Sequence, residues 1–377
     1  MSNNQFCPPA PDEIEVSVWG AGYGEAIVIH IGGGKWILVD SCIDPDSQLP
    51  ASLDYLKNLK FPVGEAVKLI VVTHWHDDHI RGISTALDEC ESSSLAISGA
   101  FQVDEFRKLV SLYSEPTIRN TSGLDEFSRV FQLLQKRKQR VTQFNSPKLA
   151  FADKWLYRDE IRINSETIEA RVCSLSPSDA SVLKAQLAFA RLLPKERERK
   201  KRVTSPRPNH ASVVLWVELG NEIILLGADL ENTSDSEIGW SAILSGSTVT
   251  SEKASVFKIP HHGSENAHHD DVWVKLLWSE PIAIVTPFRP GRKFLPSAED
   301  IKRITSLTSR AYTTAPAKQR RPRLPRSRGV VRRFARQATQ YMQEVDYGWG
   351  QVRLRKRMNQ VGELWRVELF GDAYALN

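Results

Sequence analysis

Short apolar runs of strand length recur along the chain, and several of them end at a polar residue. Ile14, Val16 and Val18 alternate with polar residues, which predicts a half-buried strand, and a glycine-rich hairpin turn then leads into a second strand over residues 26–31. Continuous apolar runs rich in β-branched residues predict buried strands. These runs are 36–39, 69–72, 213–215 and 223–226, and strand patterns that include polar or charged residues lie at 168–175, 256–259, 282–286, 312–314 and 352–369.

Helical periodicity occupies much of the sequence between these runs. Leucines at 53, 56 and 59 share one helical face, and Ser297 followed by Glu299 and Asp300 is typical of a helix N-terminus. Alternation of buried strands with helices favours an α/β fold in which helices cover sheets. Further helices are predicted after Gly82, over about 103–140 and over 178–193, and we interpret about 100–145 as a helical insertion.

The residues directly after the run 69–72 combine three histidines and an aspartate within six positions. His74, His76, Asp78 and His79 would all reach one loop if a strand ended at Val72. Imidazole nitrogen and carboxylate oxygen suit zinc, manganese or iron. His74 and His76 could bind one ion and Asp78 and His79 a second, so the sequence predicts a site for two divalent metal ions, zinc or manganese.

This HxHxDH pattern resembles the signature of metallo-β-lactamase-fold hydrolases. The order of the later motifs is more similar to the soluble hydrolase domain of ComEC-type competence proteins. The resemblance spans Val16 to about Thr314 and implies a hydrolase domain over 1–314. It implies an α/β fold of four layers, an αββα sandwich in which each half of the chain supplies one sheet and part of the ligand set. Water activated by the metal ions would be the nucleophile.

The same resemblance implies roles for residues outside the histidine motif. Asp40, at the end of an apolar run, would brace the ligand loop through hydrogen bonds, and Asp229 would bridge both ions. One histidine of the Pro-His-His-Gly-Ser motif would complete the second ion. We prefer His261 for this position and expect His262 near the substrate.

Other polar residues would assist the chemistry. Asn209 or His210 would face the ions, and we modestly favour His210 as a ligand. His262, Asn209 or Ser264 could donate a hydrogen bond to the charge that develops during hydrolysis. With Asp78, these three residues are the predicted catalytic group.

Positive charge is concentrated in one part of the chain. The net charge is +5, yet no acidic residue lies between Asp300 and Glu344, where there are twelve lysines and arginines. Residues 315–340 read as a basic flexible segment, either an ordinary linker or a nucleic-acid contact, and a second basic run between Arg191 and Arg207 could rim the site. The proposed contacts are Arg320, Arg321, Arg323, Arg326 and Arg328, and residues 341–377 are expected to return as strands on the same domain.

Composition restricts the cellular setting. No apolar run approaches the roughly 20 residues of a membrane span, and the first residues are polar and proline-rich. Four scattered cysteines fit a reducing compartment. We therefore expect a cytoplasmic protein without a membrane partner, and protein partners stay open.

These features favour a binuclear phosphodiesterase or nuclease acting on DNA or RNA. One alternative is a small-molecule metallohydrolase acting on a cyclic nucleotide or a lactone, with a β-lactam less favoured in the cytoplasm. Another is a catalytically silent nucleic-acid-binding protein. Hydrolysis that does not depend on salt concentration and survives deletion of the basic segment would favour the first alternative. Nucleic-acid binding without hydrolysis would favour the second.

Overall fold

Two facing β-sheets with helices on their outer faces make up the protein. The computed structural model describes residues 4–21, 24–113, 123–140, 146–163, 166–193, 209–289, 294–317, 348–360 and 362–376. Each sheet has eight strands. The strands are β1 (Glu13–Ala21), β2 (Gly24–His30), β3 (Trp36–Val39), β4 (Val67–Val72), β5 (Ser94–Ser98), β6 (Lys148–Ala150), β7 (Lys154–Ile163), β8 (Glu166–Ser174), β9 (Leu215–Leu219), β10 (Glu222–Leu226), β11 (Ala254–Lys258), β12 (Leu277–Val285), β13 (Ala311–Thr313), β14 (Gly350–Arg357), β15 (Arg366–Gly371) and β16 (Tyr374–Ala375).

The order of the strands shows how the chain crosses between the sheets. The first sheet has the order β15-β14-β1-β2-β3-β4-β5-β6 and the second β16-β13-β12-β11-β10-β9-β8-β7. Strands β3 to β6 are parallel, as are β10 to β13. The predicted hairpin is confirmed, because β1 and β2 pair antiparallel with Ala21 opposite Gly24.

Helices cover both outer faces. They are α1 (Ala51–Asn58), α2 (Val63–Ala66), α3 (Asp77–Ile80), α4 (Ile83–Glu89), α5 (Asp104–Tyr113), α6 (Gly123–Arg140), α7 (Asp179–Leu192), α8 (Trp240–Gly246) and α9 (Ala298–Leu307). Ser297 and Asp300 form a capping box at α9, which explains why this helix starts where the sequence predicts. Among the described residues, no helix is both long and apolar enough to span a membrane.

Three apolar cores hold the layers together. Branched side chains from both sheets, such as Ile27, Val71, Ile224 and Val256, fill the space between the sheets. Aromatic and aliphatic side chains of α1 and α4 to α7 pack on the first sheet, and those of α8 and α9 pack on the second. The predicted four-layer αββα sandwich is therefore confirmed.

The chain departs from the expectation that each half supplies one sheet. Strands β14 and β15 follow the second sheet in sequence but pair on β1 of the first sheet. Strand β7 was not predicted, because its charged side chains alternate outward on an edge strand and interrupt the apolar pattern. The interpretation of about 100–145 as an insertion stays a prediction. Most of the basic segment 315–340 lies outside the described residues.

Candidate metal centre

Residues far apart in sequence meet at one edge of the two sheets. His74 and His76 follow β4, Asp229 follows β10, and His262 follows β11. The carboxyl ends of neighbouring parallel strands share one edge of a sheet, and the two sheets face each other, so these side chains converge. Not all of the motif lies in a loop, because α3 includes Asp78 and His79.

Asp229 lies at the centre of this group. Its Oδ2 is 3.6 Å from Nε2 of His74 and 3.7 Å from Nε2 of His262, and its Oδ1 is 3.5 Å from Nε2 of His79. Oδ2 of Asp78 is 3.2 Å from Nε2 of His262 and 3.7 Å from Nε2 of His79. Two sets of possible ligands share Asp229: His74 and His76 on one side, and Asp78, His79 and His262 on the other.

The donor atoms fit divalent cations. Nε2 of His74, His79 and His262 and Oδ1 of Asp229 are buried without a hydrogen bond of acceptable geometry, although carboxylate oxygens face the nitrogens at 3.2 to 3.7 Å. Leaving so many polar atoms unpaired away from water is costly. Nitrogen and oxygen donors aimed at a shared space match the preferences of zinc and manganese, so these residues can hold the predicted ions.

Asp40 orients two of the histidines. Its Oδ1 accepts a hydrogen bond from the Thr73 backbone N–H at 2.8 Å, and its Oδ2 accepts from the Thr73 hydroxyl at 2.6 Å. Oδ2 also accepts from Nδ1 of His79 at 2.8 Å, and the Thr73 hydroxyl lies 2.9 Å from Nδ1 of His74. Both rings therefore direct Nε2 toward Asp229. The bracing role of Asp40 stays a prediction, and these are the contacts that it requires.

The charges of the group are strongly interdependent. Burial alone would raise the pKa of Asp229 and of Asp78, but the neighbouring His262 and His79 hold both well below the usual range. Burial would lower the pKa of His79, yet Asp229 and Asp78 raise it well above its ordinary value. Burial and the adjacent His74 lower the pKa of His76 to about 3. The carboxylates are thus ionised, as metal ligands must be.

Strained backbone is concentrated around the same group. Asp40, Ala228, His261 and His262 all have positive φ, at 58°, 46°, 46° and 55°. Residues other than glycine seldom adopt this conformation, and such strain often marks functional sites. Ala228 directly precedes Asp229, so this conformation lies next to the central ligand.

The two histidines of the Pro-His-His-Gly-Ser motif take the opposite places from those we preferred. His262 is buried, and its Nδ1 donates to the Thr286 carbonyl at 3.1 Å, so Nε2 points at Asp78 and Asp229. The side chain of His261 is 18% exposed and its Nδ1 faces Asn266 and Glu231. The geometry therefore favours His262 as a ligand and leaves His261 at the edge of the group.

The remaining predicted residues lie outside the ligand sets found in the described part of the chain. His210 is half-buried, and burial followed by the charge of Lys184 lowers its pKa. Asn209 donates from Nδ2 to Oε1 of Glu231 at 2.6 Å and lies 3.4 Å from Nε2 of His261. Ser264 is half-buried, and its backbone N–H donates to the His261 carbonyl. Nδ1 of His210 is also buried without a hydrogen bond, but no other candidate ligand is grouped with it in the described part of the chain, so its role as a ligand stays a prediction.

Sequence reasoning missed Thr286 and Glu231, which hold His262 and Asn209. Thr286 directly follows β12, and Glu231 lies two positions after Asp229, so closeness to a strand end and to the predicted bridging aspartate was the available signal. The predicted nucleic-acid contacts Arg320, Arg321, Arg323, Arg326 and Arg328 lie outside the described residues.

Comparison with known proteins agrees with this architecture. The family model described as the metallo-beta-lactamase superfamily matches residues 19–90, which include Asp40 and the histidine motif. No curated protein is similar enough in sequence to match the chain.

Similar solved structures are distant. The metallo-beta-lactamase fold protein YhfI from Bacillus subtilis is 12% identical over 65% of this chain and 71% of its own, with a TM-score of 0.30. Metallo-beta-lactamase SMB-1 bound to 2-mercaptoethanesulfonate is 16% identical over 68% and 82%, with a TM-score of 0.32. A HARLDQ-motif mutant of a Cronobacter sakazakii metallo-beta-lactamase is 10% identical over 66% and 77%, with a TM-score of 0.33. The family match over residues 19–90 and the two facing sheets agree with the metallo-β-lactamase fold, and the candidate ligands fit a metal-binding site.

Proposed function

We propose that this protein is a phosphodiesterase that uses two divalent metal ions to cleave DNA or RNA. His74, His76 and Asp229 would hold one ion, and Asp78, His79, His262 and Asp229 the other. When bound, such ions lower the pKa of a coordinated water and polarise the bond that is attacked. Oδ2 of Asp229 lies near His74 of one set and His262 of the other, and its Oδ1 lies near His79, which supports its role as the shared ligand.

Residues at the edge of the ligand sets can bind the substrate. His261 is partly exposed, and Glu231 and Asn266 hold its Nδ1 side, so its Nε2 side faces the space near Asn209. Hydrogen-bond groups fixed in advance stabilise charge that develops on a reacting phosphate. We assign this positioning role to His261, Asn209 and Ser264, while His262 moves to the ligand set.

The substrate class is supported by where basic stretches join the described structure. Residues 194–208 contain seven lysines and arginines and two glutamates, and they end at Asn209, beside Glu231 and His261. Residues 318–347 contain nine lysines and arginines and two acidic residues. Basic stretches of this charge, attached to the described chain beside candidate ligands, favour a polyanionic substrate.

The described residues that flank 318–347 lie near the candidate centre. A Cβ on Gly348 would lie only 2.9 Å from Cδ of Pro316, so the chain leaves and returns at one place. Strand β13 is parallel to β12, so its carboxyl end lies at the same edge as Thr286, which contacts His262. This placement is the observation that carries the proposal of a nucleic-acid substrate.

Cleavage of end-labelled single- and double-stranded DNA and RNA, with manganese or zinc added, tests the proposal. We expect His262→Gln to lose about 10³-fold in rate and to bind fewer metal equivalents, because it removes a ligand. His261→Gln should keep the metal content of the wild type and lose activity only. His268→Gln, in a polar loop, is the matched control.

Salt and a small substrate separate the alternatives. Nucleic-acid cleavage should weaken steeply as salt rises, whereas hydrolysis of bis(p-nitrophenyl) phosphate should depend little on salt. Hydrolysis of the small diester without cleavage of any nucleic acid would reject the proposed substrate. Nucleic-acid binding without hydrolysis by metal-loaded protein would reject the enzyme.

A further inference from the structure

Glu25 of the first sheet binds the two strands of the second sheet that place His262. Its Oε2 forms an ion pair with Nζ of Lys258 at 2.5 Å and accepts a hydrogen bond from the Thr286 hydroxyl at 2.5 Å. Lys258 is the last residue of β11, which leads into His262, and Thr286 directly follows β12. One carboxylate therefore contacts both strand ends.

Because the ion pair between Glu25 and Lys258 is buried, a contribution to stability does not by itself account for its presence. Lys258 and Glu25 have side chains that are each 1% exposed, beside an inter-sheet core of apolar side chains. Removing two charges from water is expensive, and a well-packed apolar pair of similar size is often at least as stable. Lys356 and Glu222 also join the two sheets, but their side chains are 13% and 11% exposed.

The other side of β2 reaches the histidine motif. A Cβ on Gly24 would lie 2.4 Å from Cβ of Cys42 and 3.3 Å from the carbonyl oxygen of Asp78, so the backbone of β2 packs directly against these residues. Only glycine fits such a close approach. Gly24 and Glu25 thus connect the helix that carries Asp78 with the strands that place His262.

Thr286 passes this connection on to the histidine. Its carbonyl accepts from Nδ1 of His262 at 3.1 Å, which leaves Nε2 directed at Asp78 and Asp229. The hydroxyl of the same residue is held by Glu25. The ring orientation of His262 therefore depends on a residue from the opposite sheet.

We propose that Glu25 is a positioning residue that sets the orientation of His262 relative to Asp78, with Lys258 and Thr286 as its anchors. This inference rests on the metal centre proposed above. It gives Gly24 a structural role, since the close approach at this glycine places β2 against Asp78 while Glu25 contacts the strands that place His262. It also explains a charged residue at the end of the apolar strand β11.

Co²⁺ binding to the full-length protein tests the inference, because its visible absorption reports ligand geometry. The double variant Glu25→Leu/Lys258→Met removes both charges together, so neither is left unpaired. We expect its Co²⁺ affinity to fall about 10- to 100-fold and its absorption bands to shift, with the urea unfolding midpoint near that of the wild type.

A matched control is present in the same protein. Glu222 pairs with Lys356 and accepts from the Ser255 hydroxyl, as Glu25 pairs with Lys258 and accepts from the Thr286 hydroxyl, but Glu222 lies away from the ligand sets. Glu222→Leu/Lys356→Met should keep the Co²⁺ affinity and spectrum of the wild type. Equal weakening in both double variants would overturn the inference, since general loosening of the sheets would then explain it.

Two single substitutions provide the test if the double variant Glu25→Leu/Lys258→Met does not fold. Thr286→Val removes one hydroxyl and should weaken Co²⁺ binding in the same direction, whereas Ser255→Ala should not. If Glu25→Leu/Lys258→Met keeps the Co²⁺ affinity and spectrum of the wild type, the pair only stabilises the fold. If that double variant does not fold, the same result in Thr286→Val leads to the same conclusion. A wild-type protein that binds no Co²⁺ would instead reject the metal centre, and with it the proposed function.

Discussion

Two clusters of charged residues are buried in this protein, and they differ in how their polar atoms are paired. Around Asp229, several nitrogen and oxygen atoms face one another without hydrogen bonds. Around Glu15, on the first sheet, one carboxylate oxygen accepts from Ser17 and Tyr55, both at 2.7 Å, and the other from Nε of Arg355 at 2.8 Å. Both clusters are almost fully excluded from solvent.

The difference separates a structural cluster from a functional one. The Glu15 cluster continues through Arg353, which donates to Glu368 at 2.8 Å and to the Gln5 carbonyl at 2.6 Å. It joins β1 to the C-terminal strand β14, so its contacts stabilise the fold. Several buried atoms around Asp229 lack a hydrogen bond, and a ligand bound there would supply the missing partners.

The largest expected effect is on catalysis. Asp229→Asn should lower hydrolysis about 10³-fold, because it weakens the ligand shared by both proposed ions. Glu15→Gln should leave the rate per folded molecule unchanged. Rates measured at matched folded fractions would test this, and comparable losses in both variants would remove the distinction between the clusters.

Stability should respond in the opposite way. Glu15→Gln leaves Arg355 buried beside a neutral partner and should lower the free energy of unfolding by about 3 to 5 kcal/mol. Glu13→Gln is the control, since its partner Arg366 has a side chain that is 57% exposed. Urea unfolding followed by circular dichroism measures both. Equal midpoints would mean that the Glu15 cluster contributes little.

His30 lies beside the structural cluster around Glu15 and makes the stability of the protein depend on pH. Nδ1 donates to the Glu13 carbonyl at 2.6 Å and Nε2 accepts from the Gly34 N–H at 3.0 Å, which suits only the neutral ring. Burial lowers its pKa to about 4 from the usual 6.5. Between these values the unfolded chain binds a proton that the folded protein does not, so stability falls as pH drops from about 6.5 to about 4.

The size of this pH effect on stability can be measured by comparing the wild type with a variant that lacks the histidine. A shift of this extent corresponds to about 3 kcal/mol at the acid end of the window. His30→Gln can keep both hydrogen bonds without titrating, so the stability of the wild type should fall more steeply with acid than that of the variant. Parallel pH profiles from urea unfolding would contradict the prediction.

The smallest expected change is that caused by metal removal. Chelation should lower the melting temperature, and restored metal at about 100 times its dissociation constant should stabilise the protein by about 2.7 kcal/mol. Glu15→Gln should show the same difference between metal-free and metal-loaded protein, whereas Asp229→Asn should show a smaller one. A melting temperature indifferent to metal in the wild type would count against the centre.

Local chemistry made much of the fold and of the ligand motif predictable. The strands β3 and β4 and the helix α9 follow from β-branched runs and a capping box, and these depend on neighbouring residues only. Histidines and an aspartate after β4 indicated a metal site for the same reason. Edge strand β7 escaped prediction because its outward side chains are charged.

The sequence by itself determined which residue types could bind metal and which strand ends carry them. Only the tertiary structure decided between His261 and His262, since both follow the same strand and differ in which way a left-handed backbone turns them. It also decided that Glu25 meets Lys258 and that β14 returns to β1. Such contacts join residues far apart in the chain, where spacing and periodicity hold no information about distance.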